Sequence, residues 1–312
     1  MPTFTTLVKE ELINVEEEQQ LHSELAALIR LCGRIIFTNM GMGVAIQTES
    51  AATSRRIYVL LKKLYAVHTE IMVRRKTKLK KNNVYIIRVE KAKEILTDIH
   101  MLGEDGFELR IDERLIASTN DKIGYLRGAF LASGSVNDPR VSRYHLEIFS
   151  QSREHAEDLM DVMNSFELNT KVTDRKRGSI TYIKEAEKIT DFIGLIGATN
   201  ALFAFEDMRI TRDMRNAINR ISNCEIANEQ KSIRATEQQI ANIELIRDEL
   251  GFEVLGSKAQ QVAHFRLANP DATLAELAEI MNEARISISK SGINHNMRAI
   301  ATLADNIRSS TK

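Results

Sequence analysis

The chain is poor in the residues that build metal and redox centres. Its 312 residues include two cysteines, Cys32 and Cys224, which form no Cys-x-x-Cys pattern. The seven histidines form no His-x-x-x-His or His-Glu-x-x-His pair. Neither a structural zinc nor a disulfide framework is expected. No apolar run approaches the roughly 18 residues that span a bilayer. The amino end lacks the basic-then-apolar signature of a secretion signal. These absences make the cytoplasm the expected location and a membrane partner unexpected. No Walker, Rossmann or catalytic-triad pattern occurs, so neither a cofactor nor one of those enzyme chemistries is expected.

Net charge is absent too, with 43 Lys and Arg against 43 Asp and Glu. That average hides segregation. Residues 1–30 carry six glutamates against Lys9 and Arg30. Residues 55–93 carry thirteen basic residues against Glu70 and Glu90. Local stripes set the field that a polyanion meets, so neutrality overall does not exclude nucleic acid. A solvated lysine-rich face would give the same charge run. The length suits two domains, and a composition of 43% hydrophobic and 28% charged residues is that of a globular protein.

One pattern occurs twice. Leu25-Ala26-Ala27-Leu28-Ile29-Arg30-Leu31-Cys32-Gly33 is followed 101 positions later by Leu126-Arg127-Gly128-Ala129-Phe130-Leu131-Ala132-Ser133-Gly134. Small residues in each copy let two helix backbones approach closely, and the large apolar residues between them fill the seam. Two unrelated core helices are the plain alternative. The same offset relates the basic triplets Arg74-Arg75-Lys76 and Arg175-Lys176-Arg177, which favours internal duplication. Both copies resemble the LAGLIDADG helix of homing endonucleases. In that family the eighth position of each copy is an acidic residue that holds a divalent metal. Here those positions are Cys32 and Ser133, so the resemblance implies lost metal ligands, no metal and no catalytic residues. Glu24 and Asp138 are close in sequence but out of register.

Periodicity predicts a helix over 3–32, a hairpin over 34–48 and a helix over 50–66. Strands at about 69–77 and 84–90 and a helix at 91–101 complete the first half. The second half repeats the order. It has a helix at 121–133, a turn at 134–139, a strand at 144–149 and a helix at 152–166. Strands at about 169–176 and 179–184 and a helix at 185–196 follow. Two sheets presenting one curved face are expected, with the basic triplets on exposed strand ends. From about residue 207 strands vanish. Helices are predicted at about 213–222, 228–250 and 256–268. Asn223 is a candidate N-cap, and Cys224 reads as a small buried apolar residue. Lys231 and Arg234 either touch DNA or face water.

Thr273-Leu274-Ala275-Glu276 is a capping-box pattern that opens a further helix. After a turn at 283–288, Ser289 to Arg298 opens the last helix. Two short helices across a tight turn match a helix-turn-helix, in which the amino end of the second helix meets base edges. Lys290 and Arg298 suit phosphate or guanine, Ser289 and Ser291 suit phosphate, and Asn294 and His295 suit bases. A helix corner whose polar face meets only water has the same outline.

The degenerate motif pair, the run Asn223-Cys224-Glu225-Ile226-Ala227-Asn228 and the segment Ser287 to His295 together resemble the WhiA family over nearly the full length. That resemblance implies an α+β fold: a pseudo-twofold LAGLIDADG homing-endonuclease-like domain plus an all-α helix-turn-helix domain. Residues 1–210 would form the first domain, with repeats at about 1–105 and 106–200 and then a linker. Residues 211–312 would form the second, with the helix-turn-helix at about 273–306. It further implies a nucleoid-associated, non-enzymatic protein that binds double-stranded DNA in transcription regulation and cell division or chromosome organisation, with sporulation a role in some relatives. The alternatives are a protein partner on the basic saddle and, least favoured, an active endonuclease.

Overall fold

The computed structural model describes residues 2–75, 83–103, 106–141 and 143–310. The chain divides into two compact units, one ending at Asp213 and the other beginning at Met214. In the first unit α1 (Phe4–Leu12) precedes α2 (Leu21–Cys32), β1 (Gly33–Thr38), β2 (Gly41–Thr48), α3 (Ala51–Tyr65), β3 (Glu70–Arg75), β4 (Asn83–Val89) and α4 (Lys93–Asp98). The short pair β5 (Leu102–Gly103) and β6 (Gly106–Phe107) leads to the second half. That half contains α5 (Thr119–Ser133), β7 (Gly134–Val136), β8 (Leu146–Ser150), α6 (Arg153–Asn164), β9 (Lys171–Arg175), β10 (Gly178–Ile183) and α7 (Ala186–Leu195). The long helix α8 (Thr199–Leu250) follows, then α9 (Ser257–Ala268), α10 (Leu274–Glu283) and α11 (Lys290–Ser310).

Duplication is visible in the sheets. One is ordered β1-β2-β4-β3 and the other β7-β8-β10-β9, and all neighbours are antiparallel. Val44, Ile46, Ile87 and Val89 turn one face of the first sheet into the core, as Leu146, Ile148 and Ile183 do in the second. The repeated motifs form α2 and α5, which pack against each other at the centre with Leu25, Leu28, Ile29, Leu126 and Phe130 fully buried. Their backbones nearly touch. A Cβ added at Gly128 would lie 2.2 Å from the Glu24 carbonyl oxygen, and one at Gly124 would lie 2.3 Å from that of Gln20.

Three element boundaries differ from expectation. The predicted helix over 3–32 is broken, because α1 ends at Leu12 and a 3₁₀ turn at Glu18–Gln20 intervenes. The predicted turn after Gly134 begins as strand β7, paired with β8. The predicted break near 222–228 is absent. Asn223 lies inside α8 and caps nothing. That stretch holds neither Gly nor Pro, and Ser222 and Asn223 weaken a helix without ending it. Gly251, with φ of +75°, follows its last residue.

The second unit has its own core of Ile243, Ile246, Val262, Leu277, Met281, Ile293, Met297 and Ile300. No described helix is long and apolar enough to cross a membrane.

Candidate nucleic-acid interface

The amino end of α11 is held by its approach. Thr273 and Glu276 close a capping box at the start of α10. At its far end the Asn282 side chain donates to the carbonyls of Ala278 and Ile288, at 2.7 and 2.9 Å, and accepts from the Ile288 N–H at 3.2 Å. One amide therefore ties both sides of the turn, which Arg285 passes through at φ of +62°. Ser289 then caps α11, its hydroxyl accepting from the Gly292 N–H at 3.1 Å and lying 2.9 Å from that of Ser291. Ile293, Met297, Ile300 and Ala304 anchor one stripe of α11 in the core. Ser289, Lys290, Ser291, His295 and Arg298 are exposed and Asn294 is half-buried. Among the described residues Lys290, His295 and Arg298 have no carboxylate partner.

Strand register sorts the basic triplets. Arg34, Ala45, Arg88 and Glu70 form one row across the first sheet, and Ser135, Glu147, Tyr182 and Lys171 form one across the second. At Ala45, Arg88, Ser135, Glu147 and Tyr182 the rows alternate with buried positions, so both rows face away from the core. Arg74 shares this outer face with Glu70, and Arg175 shares it with Lys171. Arg75 points to the opposite side of its edge strand. Lys176 and Arg177 form the exposed β9–β10 turn, and Lys76 lies outside the described residues. The triplets thus contribute Arg74 and Arg175 to the outward faces, where exposed Arg34, Arg88 and Lys171 join them. Sequence reading missed these three. Alternation within each strand marks their side, but only the pairing shows that they share a row.

The eighth positions of the motif helices hold no carboxylate. The Ser133 hydroxyl donates to the Phe149 carbonyl at 2.7 Å. The half-buried Cys32 thiol is pushed up to about 11 by burial, against the pull of the neighbouring Lys9. Lys9 itself is drawn down to about 8 by burial. Glu24 serves elsewhere. Its fully buried carboxylate accepts from Arg56 Nε and Nη2 at 2.7 and 2.8 Å and lies 3.5 Å from Arg127. Arg56 also donates to the carbonyls of Ile13 and Val15, and Arg127 to that of Ile196. This network fastens the α1–α2 connection, both motif helices, α3 and the end of α7. Asp138 pairs with Arg140 two residues on. Among the described residues no group of three or more His, Cys, Asp or Glu is placed to hold a metal ion.

Sequence profiles match most of the chain. The profile described as WhiA N-terminal LAGLIDADG-like domain matches residues 18–102, the WhiA LAGLIDADG-like domain 122–215, and the WhiA C-terminal HTH domain 218–304. A probable cell division protein WhiA of Bacillus mycoides (strain KBAB4) is 50% identical over 309 residues, which are 98% of this chain and 97% of that one. The chain belongs to the WhiA family. A probable cell division protein WhiA of Lysinibacillus sphaericus (strain C3-41) is 47% identical, with 99% of each chain covered. The crystal structure of full-length DUF199/WhiA from Thermatoga maritima matches with a TM-score of 0.60 and 27% identity, covering 98% of this chain and 99% of that one. The N-terminal LAGLIDADG domain of DUF199/WhiA, solved alone, matches with a TM-score of 0.51 over 63% of this chain and 91% of that one. The WhiA family thus accounts for the mixed α and β first unit and the helical second one.

The WhiA assignment leaves the run around Asn223 without a structural role. Cys224 is exposed, not buried as its type suggested. It lies on a stretch of α8 where Ile218, Ile221 and Ile226 are exposed as well. Lys231 and Arg234 are exposed on the same helix.

Proposed function

We propose that this chain is a sequence-dependent DNA-binding protein acting in transcription regulation and in cell division or chromosome organisation. We read it as a nucleoid-associated protein that does not cut DNA, with functional modules at residues 1–210 and 211–312. The observation that carries the reading is the amino end of α11. There an unpaired lysine, histidine and arginine and two serine hydroxyls stand exposed on a helix whose opposite stripe is locked in the core. A helix start offers free N–H groups and a positive dipole end to phosphate. Asn294 and His295 supply the amide and imidazole that can contact bases. The cell-division part rests on the names of the curated relatives.

The non-nuclease part rests on donor chemistry. Metal-assisted phosphodiester hydrolysis needs hard oxygen ligands, usually carboxylates, around the ions. A high-pKa thiol beside an ammonium and a hydroxyl already bonded to a carbonyl do not supply them. The outward sheet faces, with Arg34, Arg88, Arg74, Lys171 and Arg175, suit a second, sequence-tolerant contact with the DNA backbone.

The deciding experiment is genome-wide mapping of bound DNA, followed by titration of the purified full chain with a recovered site and a scrambled duplex. Tighter binding to the recovered site is expected. Equal affinity for both overturns sequence dependence, and no affinity for either favours a protein partner on the basic faces.

A further inference from the structure

Residues 214–235 of α8, all within the second unit, are exposed throughout. Helices in proteins draw most of their stability from packing one face, and little from propensity. This stretch is also a weak helix former, with Asn216, Asn219, Ser222, Asn223, Cys224 and Asn228. It nevertheless holds Met214, Ile218 and Ile221 in open water, Ile221 at 60% exposure. The helix suits a partner that the single chain does not supply.

Spacing indicates the kind of partner. Met214, Ile221 and Asn228 recur every seven residues, and Ala217 and Cys224 fall between them at the same interval. With the first set at a and the second at d, they make the narrow seam of a two-stranded coiled coil over two heptads. Ile218 flanks the seam at e. Lys231 takes the next d position and ends it, while Ile226 and Ile233 fall at f and stay outside it.

Charge and polarity select a second copy of this helix, parallel and in register. Arg220 falls at g and Glu225 at e. In a parallel pair a g residue meets the e residue five positions on in its partner. Arg220 thus meets the partner's Glu225, and the partner's Arg220 meets Glu225. Among the described residues neither has an ion-pair partner within its own chain. Asn228 adds an amide layer at a, where a single polar residue fixes register and strand number. The only described hydrogen bond of its side chain runs to the Cys224 sulfur, at 3.8 Å.

We propose that residues 214–228 form a parallel two-stranded coiled coil between two copies of this chain. Two heptads bury little area, so the association is weak and is read at high protein concentration. It does not depend on the DNA-binding reading.

The test uses the full chain. In the Cys32→Ser variant Cys224 is the remaining thiol, and a parallel pair in register sets the two Cys224 thiols side by side. A short bismaleimide should link two such chains. Adding Ile221→Lys should abolish the link, and because Ile221 is exposed both cores stay intact. Sedimentation velocity without the linker separates pairing from chance collision. Arg220→Glu and Glu225→Arg should each weaken self-association severalfold. An equimolar mixture of those two variants should recover it, since both cross pairs are then attractive. Asn228→Val should tighten it, because a polar residue at a costs stability. Dimers that sediment together but do not link through Cys224 overturn the parallel register. A mixture that associates no better than either charge variant alone overturns the selection of a second copy. A monomer at every concentration overturns the coiled coil and leaves the face to a different protein.

Discussion

Gly128 stands so close to Glu24 that its missing side chain is part of the packing: one added carbon would lie 2.2 Å from the Glu24 carbonyl oxygen and 3.0 Å from the Ala27 Cβ. The neighbour is backbone and cannot swing aside. Gly128→Ala should therefore cost about 1–3 kcal/mol, the usual range for overpacking a tight seam, and Gly128→Val should cost more. Urea unfolding of the full chain followed in the near ultraviolet checks this. A Gly128→Ala midpoint equal to that of the wild type would mean that the helices separate freely.

The buried Glu24 network predicts a larger loss. Glu24→Gln leaves Arg56 and Arg127 without their shared anion, while both guanidiniums stay buried. Breaking a buried pair by removing one partner typically costs about 3–5 kcal/mol. The drop in stability should be much larger than for Glu10→Gln, an exposed control. Thermal unfolding of the two variants side by side gives the comparison.

Stability should also respond to mild acid through His155. Its ring nitrogens lie 2.9 Å from the Tyr125 hydroxyl and 2.9 Å from the Ser150 hydroxyl. Burial, helped by the charge of Arg30, draws its pKa down to about 3. The unfolded chain takes up that proton near pH 6.5, its ordinary value of about 6.5, whereas the folded chain takes it up only near 3. Between those limits the unfolded state binds more protons, so this contribution is whole above about pH 6.5 and is lost as pH falls toward about 3. Denaturant midpoints measured across that window should decline toward acid. His155→Gln should be less stable at neutral pH and decline less steeply. An identical slope in the variant would remove His155 from the account.

At α11, Lys290→Ala and Arg298→Ala should each weaken DNA binding and flatten its log–log salt dependence by roughly one unit, if each neutralises one phosphate. Asn294→Ala should instead narrow the gap between a true and a mismatched site by about 1–3 kcal/mol. Salt titrations on matched and mismatched duplexes separate the two behaviours. If all three variants keep wild-type affinity and preference, α11 is not the reader.

No magnesium- or manganese-dependent cleavage of supercoiled plasmid is expected from the purified chain. Nicking that disappears in Cys32→Ala or Ser133→Ala would reverse this.

Much of this arrangement was legible in the residues. The repeat offset located α2 and α5 because close-packed helices need small residues at fixed spacing, and alternation located the strands. The capping box at Thr273 located α10 because local chemistry fixes a helix start. What was hidden depends on distance in sequence. Glu24, Arg56 and Arg127 read as ordinary surface-type residues until the fold brings them together. Gly124 belongs to the seam but lies before the recognisable motif. The division of Arg74 from Arg75 follows from strand register, which composition does not carry. The burial of Cys224 was misjudged because side-chain type predicts average environment, and α8 leaves that residue in water.

The equivalent rows of the two sheets have a last consequence. Their strand orders are the same, yet one row reads Arg34, Ala45, Arg88, Glu70 and the other Ser135, Glu147, Tyr182, Lys171. The strand order repeats and the surface chemistry does not. An asymmetric polymer laid along both sheets would meet unlike chemistry at each end, so turning it around would produce a different complex. A homodimer of either half would present the same row twice, whereas duplication within one chain has let the two rows diverge.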